Sequence, residues 1–219
     1  MVYPKIIGYI HICQLSKWNI TYDLIIDAVK KYGLYDETFE IRVGIVSEDG
    51  KYKHNSRFDD PKIKIVTYGH CSRYERITLE HMRESSENED VQYWYAHTKG
   101  ISHFSGNDDH KKLCILDWIN LLIYHNFERW TTASDRLLSH DTYGCEYSRQ
   151  HMNIPHYSGN FWWANSQYIR TLSCKINDGY CDPEFWVLSR DGVLMCNIFS
   201  SGIDGGDHYT MRYHPTSYK

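Results

Sequence analysis

Val91-Gln92-Tyr93-Trp94-Tyr95-Ala96-His97-Thr98-Lys99-Gly100 begins as a strand so aromatic that both of its faces must be covered, the state of an interior strand in a parallel sheet. It then breaks into a polar turn ending in glycine. Working back toward the N-terminus, β-rich runs at 5–12, 40–47 and 62–68 precede it, the last with Ile63, Ile65 and Thr67 alternating with Lys64 and Val66. Helical periodicity fills the gaps. Ile20, Leu24, Ile25, Ala28, Val29 and Tyr32 recur at helical spacing before Gly33, and Ser72 with Glu75 three residues on reads as a capping box for a helix to about residue 84. Strands alternating with helices predict an α/β fold with a mostly parallel central sheet flanked by helices.

Toward the C-terminus the pattern changes. Leu113, Leu116, Ile119, Leu122, Ile123 and Phe127 form an apolar stripe that predicts one long helix over 111–130, after a polar, glycine-containing loop at 102–110. A short helix at 133–139, a strand at 142–146, a helix carrying Tyr168, Ile169 and Leu172, and a strand at 193–199 follow. The glycine-rich stretch 200–207 reads as a mobile loop. There is no repeat, low-complexity tract or linker, so one domain spanning 1–219 is expected.

Composition narrows the function classes. The 24 basic and 28 acidic residues are interspersed, for a formal charge of −4, and leave no basic stripe for a nucleic-acid backbone. No stretch approaches the roughly 18 to 20 apolar residues of a membrane span, and residues 1–10 lack a charged region followed by a long apolar run. A cytoplasmic protein without membrane span or nucleic-acid partner is expected. Seven cysteines, an odd number without a C-x-x-C pair, suit reduced thiols. Nineteen tyrosines and seven tryptophans favour a flat ligand, although such residues also fill cores.

Chemistry is sought at strand ends, where open α/β sheets bind ligands. After the fourth strand, Lys99 beside Gly100 can neutralise a phosphate while the glycine admits the backbone, and His97 can donate to the ligand or bind a metal; a solvated turn is the plain alternative. Further on, His156-Tyr157-Ser158-Gly159-Asn160-Phe161-Trp162-Trp163-Ala164 sets bulky aromatics directly after a small turn. Pro183-Glu184-Phe185-Trp186 then supplies a lone carboxylate among aromatics. A turn that approaches a ligand, aromatic walls and a base are the parts of a sugar-transferring site; a buried aromatic strand and a helix-capping carboxylate are the alternatives. There is no Gly-x-Gly-x-x-Gly after the first strand, no P-loop, no Gly-x-Ser-x-Gly elbow, and no zinc-like spacing among the thirteen histidines.

Tyr74-Glu75 with Thr78-Leu79, Tyr95 through Gly100, His156 through Ala164 and Glu184-Phe185-Trp186 together resemble the small GT-A-type glycosyltransferases of large DNA viruses and bacterial surface-polysaccharide clusters. The resemblance spans about residues 68–190. It implies a GT-A-like single domain, with a nucleotide-binding part at about 1–110 and an acceptor-side part at about 111–219. It also implies a nucleotide diphosphate sugar donor, most commonly with UDP, a glycan or glycoprotein acceptor, and Mn or Mg as cofactor; for a viral member the location would be the host cytoplasm. On that pattern Tyr9, His11 and Tyr68 lie toward the base pocket between the first and third strands. His97, Lys99, Gly100, Ser158, Gly159 and Asn160 face the donor, and Trp162, Trp163 and Trp186 shape the sugar pockets. Glu184 stands where inverting enzymes place their base.

One departure concerns the metal. The Asp-x-Asp expected at the end of the fourth strand is replaced by His97-Thr98-Lys99. Either His97 with His208 holds the cation, or Lys99 supplies the positive charge and no metal is needed. The expected activity is transfer of a sugar from a UDP-sugar to a glycan hydroxyl with inversion. A non-catalytic carbohydrate-binding protein on the same fold is the alternative, and a methyltransferase or other nucleotide-using α/β enzyme is a third.

Overall fold

A computed structural model describes residues 4–100, 103–104 and 106–219. The first half alternates β1 (Ile6–Cys13), α1 (Trp18–Lys31), α2 (Leu34–Glu37), β2 (Thr38–Ser47), β3 (Ile63–His70), α3 (Arg76–Ser85) and β4 (Gln92–His97). The second half holds α4 (Asp109–Ile123), α5 (Trp130–Arg136), β5 (Thr142–Gly144), β6 (Tyr147–Ser148), β7 (His156–Tyr157), β8 (Trp162–Asn165), α6 (Ser166–Ile169), α7 (Asp182–Phe185) and β9 (Met195–Asn197). Among the described residues no helix is long and apolar enough to cross a membrane.

The α/β class and the mostly parallel sheet follow from the sequence pattern, and the strand order explains where ligands can go. Seven strands run β3-β2-β1-β4-β8-β5-β9. Pairs β3/β2, β2/β1, β1/β4 and β5/β9 are parallel, whereas β8 is antiparallel to both β4 and β5. The chain moves outward from β1 to β3 and then returns to lay β4 on the other side of β1. That reversal opens a crevice beyond the carboxyl ends of β1 and β4. Because β8 runs against β4, with Tyr95 opposite Trp162, the residues leading into β8 arrive at the edge where His97 to Gly100 depart. Strand β5 and strand β9 point the same way as β4, so their exits reach that edge too.

Both faces of the sheet are filled. Ile6, Ile10 and Ile12 of β1 join one apolar cluster with α1 and α4, and Ile7 and Tyr9 join another that holds Leu79 and Met82 of α3. The period-two alternation thus serves two cores at once, as an interior parallel strand requires. Helix α3 comes very close to β2: a Cβ added to Gly44 would lie 1.9 Å from Thr78 Oγ1. This approach lets Thr78 reach His11 of β1 across 2.8 Å.

Several local expectations change. The expected helix over 111–130 is interrupted after Ile123 by a wider turn at Tyr124–Glu128 before α5 begins. Its cause is Asn126, whose carbonyl is taken by the Trp163 indole at 2.9 Å and whose amide donates back to Leu122 O at 2.9 Å. Ser72 forms no capping box with Glu75. It sits in a short turn, Cys71–Arg73, where its backbone N–H is held by His70, and α3 starts only after Glu75. The stretch 200–207 is anchored at its start, where Ser201 donates to Glu146 through N–H at 2.7 Å and through Oγ at 2.6 Å. Beyond it the tail runs back over α4, where Arg212 pairs with Asp117. The expected loop at 102–110 lies partly outside the described residues.

Candidate active site

At the β1/β4 edge lies a cavity of about 820 Å³. Its floor is knitted by Thr98, whose N–H donates to His11 O at 3.0 Å and whose Oγ1 accepts from Cys13 N at 3.0 Å. His11 lines the floor, and burial depresses its pKa to about 3, so it is a neutral wall bonded to Thr78. Cys13 is no nucleophile at neutral pH, because burial pushes its thiol up to about 11.

Gly159 is the hub of the site. Its φ is +94°, and an added Cβ would lie 2.7 Å from Leu122 Cδ1, so only glycine fits the turn. His97 Nε2 lies 3.1 Å from Gly159 O, and Gly159 N–H donates to Glu184 Oε1 at 3.1 Å. A carbonyl only accepts, so Nε2 of His97 carries the proton. Burial, then the charge of Lys99, holds the His97 pKa well below the usual range, which leaves Nδ1 a bare acceptor. Nδ1 faces Glu75 Oε1 at 3.3 Å. Burial above all, joined by the charge of Glu184, raises the Glu75 carboxyl. The proton between these two groups therefore belongs to Glu75, and the cavity holds two carboxyl groups in different environments.

A pH test follows. A carboxyl with a raised folded pKa lends its full stability below the unfolded value of about 4.5 and loses it as pH rises through the folded value. Glu75→Gln removes that loss and keeps a donor for Nδ1. The melting temperature of the variant relative to wild type should therefore climb as pH rises above the unfolded value. A difference that does not change with pH would refute the proton on Glu75.

Lys99 is 6% exposed, lines the cavity, and places Nζ 3.8 Å from the centre of the Trp118 ring. Among the described residues its ammonium has no hydrogen bond and no ion pair. It opens to the cavity, its stem covered and its charge resting on the Trp118 face. Gly100 has φ +71°, a left-handed conformation that favours glycine. Ser158 and Asn160 also line the cavity. Asn160 Oδ1 accepts from Trp162 Nε1 at 2.8 Å, whereas its buried Nδ2 has no partner. Asp204, Gly205 and Gly206 of the tail close one side, with Gly205 pressed against Ser158 Oγ.

Glu184 is not the cap of its own helix. Helix α7 has Cys181 at its N-cap, with no side-chain bond there, and the Glu184 carboxylate reaches across to Gly159 instead.

Other expectations are corrected. Trp162 and Trp163 are fully buried and Trp186 is nearly so, and none lines the cavity. Strand β8 is interior, between β4 and β5, so its indoles fill both cores: Trp162 stacks on Tyr95 at 4.9 Å, and Trp186 Nε1 donates to Ser173 O. They are packing residues, not a sugar wall. Tyr9 lies under α3, bonded to Arg42 and His81, away from the cavity. Tyr68 is 61% exposed on the outer strand β3, against Tyr52. Strand β2 separates β1 from β3 in the sheet, and the cavity reaches past it, from His11 and Cys13 of β1 to Cys71 and Ser72 after β3. His208 is buried on Trp118 with Nε2 3.1 Å from Glu146 Oε2, and it does not line the cavity beside His97.

Tyr74 and Glu75, in a segment after the third strand that the sequence also allows at this cleft, do line the cavity, whereas sequence reasoning missed Trp118, Tyr180, Tyr209 and the tail glycines. No protein-family model matches the chain, and no curated protein matches it.

Proposed function

We propose that the protein is a GT-A-type glycosyltransferase that moves a sugar from a UDP-sugar to a glycan hydroxyl with inversion. The observation that carries this reading is one cavity at the strand-order reversal that holds both a buried, unpaired lysine and a carboxylate on a second loop. A cation that faces the cavity without a hydrogen bond is a place for a diphosphate, and a carboxylate lining the same cavity is a base for an acceptor hydroxyl. The central sheet with helices on both faces agrees with the fold that the sequence resemblance implies.

In the proposed step the acceptor oxygen attacks the anomeric carbon as Glu184 takes its proton. The bond from that carbon to the diphosphate oxygen breaks, and its electron pair leaves with UDP, whose charge Lys99 meets. Gly159 N–H holds one Glu184 oxygen and so orients the base.

Mn or Mg does not fit the expected strand end. Both His97 ring nitrogens are engaged, the Lys99 ammonium stands next in line, and His208 serves Glu146. Among the described residues no group of three or more His, Cys, Asp or Glu side chains is arranged for a metal ion. We therefore route no step through a cation and assign the charge to Lys99.

A thermal-shift panel of UDP, GDP, CMP and ADP, with and without Mn, tests the reading. At ten times its dissociation constant UDP should stabilise the fold by about 1.4 kcal/mol, or about 3 to 6 °C at this chain length, and more than the other nucleotides do. Equal or absent shifts would favour a carbohydrate-binding protein without catalysis.

A further inference from the structure

With the tryptophans buried, the site needs another surface for the acceptor, and one stands at the cavity rim. Tyr74 and Tyr180 both line the cavity and are 38% and 74% exposed. Their rings meet edge to face, 5.1 Å apart at 89°, and form a right-angled corner. Tyr180 leads straight into Cys181, Pro183 and Glu184, which line the same side.

The corner is held in place. Tyr74 has φ +48° and ψ −142°, a conformation that a bulky residue adopts only when its surroundings impose it. Arg76, 2% exposed, donates through Nε to Asn177 O at 2.6 Å and through Nη2 to Gly179 O, which ties the Tyr180 loop to the start of α3. Asp182 accepts from Gly179 N at 2.8 Å on the other side. A ring as exposed as Tyr180 adds little to the core, so this anchoring serves the position of the ring itself.

We infer that Tyr74 and Tyr180 form the platform on which a pyranose ring of the acceptor glycan stacks beside Glu184. The inference rests on the glycosyltransferase reading above. A pyranose offers an apolar C–H face to one ring and hydroxyls to the open side of the corner. The alternative occupant, the nucleobase, is separated by the experiment.

UDP release from a panel of UDP-hexoses is followed in the full chain with increasing methyl pyranosides, for wild type, Tyr180→Ala and Tyr180→Phe. At least one methyl pyranoside should stimulate release in wild type. Tyr180→Ala should need about five to ten times more of it for half-maximal stimulation, and Tyr180→Phe, which keeps the ring, should stay near wild type. The UDP-induced thermal shift should be the same in all three proteins. No stimulation by any pyranoside, or an unchanged response in Tyr180→Ala, overturns the platform. A reduced UDP shift in Tyr180→Ala overturns it too and gives the corner to the nucleobase. No UDP shift in wild type removes the glycosyltransferase reading, and the platform with it.

Discussion

Glu184→Gln is expected to lower sugar transfer by about 10² to 10⁴-fold while the fold and UDP binding stay as in wild type. The amide is a fitting probe because the hydrogen bond that the Glu184 carboxylate accepts from Gly159 N–H, at 3.1 Å, needs only an acceptor oxygen. A glutamine supplies that oxygen and loses only the ability to take a proton. Removing the side chain altogether tests something different. Glu184→Ala frees Gly159 N–H as well, so the turn that carries Asn160 and bonds His97 is disturbed along with the base. If Glu184 were only a latch for Gly159, the Gln variant would keep full turnover and the Ala variant would lose stability by about 1 to 3 kcal/mol. Turnover and melting temperature measured on both variants therefore separate a base from a latch. Full activity in Glu184→Gln would end the proposed mechanism.

The fold was legible wherever one strand or helix carried its own period. Strands β1 to β4 and helices α1 and α3 stand where alternation and helical spacing place them, because burial on two sheet faces imposes that pattern locally. Direction is not written locally. Nothing in Phe161-Trp162-Trp163-Ala164 says that β8 runs against its neighbours, yet that reversal is what brings Ser158 to Asn160 to the end of β4.

Half of the candidate site was legible for the same reason. Lys99, Gly100 and Glu184 stood out because a charge beside a glycine or between aromatics is unusual in its own neighbourhood. Glu75 had two readings, a capping box or a lining of the cleft, and the placement of His97 decides for the second. Trp118 reads as one more apolar residue of a helix stripe until Lys99 is found lying on it. The tryptophans erred in the opposite direction: an aromatic cluster looks the same in a core as at a ligand, and the strand order decides which it is.

Lys99→Met should weaken UDP binding by about tenfold to over a hundredfold while changing uridine binding little, since a charge-assisted contact to phosphate contributes about 1.5 to 3 kcal/mol. Methionine keeps an apolar stem over Trp118, so the variant removes the charge without emptying a side chain that is 6% exposed. Stability is informative here as well. An ammonium buried without an anion costs free energy in the ligand-free protein, so Lys99→Met should melt no lower than wild type, and the two should diverge only when UDP is added. Equal weakening of uridine and UDP would make Lys99 a structural turn residue. Chelator completes the argument: if Lys99 stands in for a divalent cation, UDP affinity in wild type is the same with EDTA as with Mn. A UDP affinity that collapses in EDTA would return the diphosphate to a metal and leave Lys99 a supporting part.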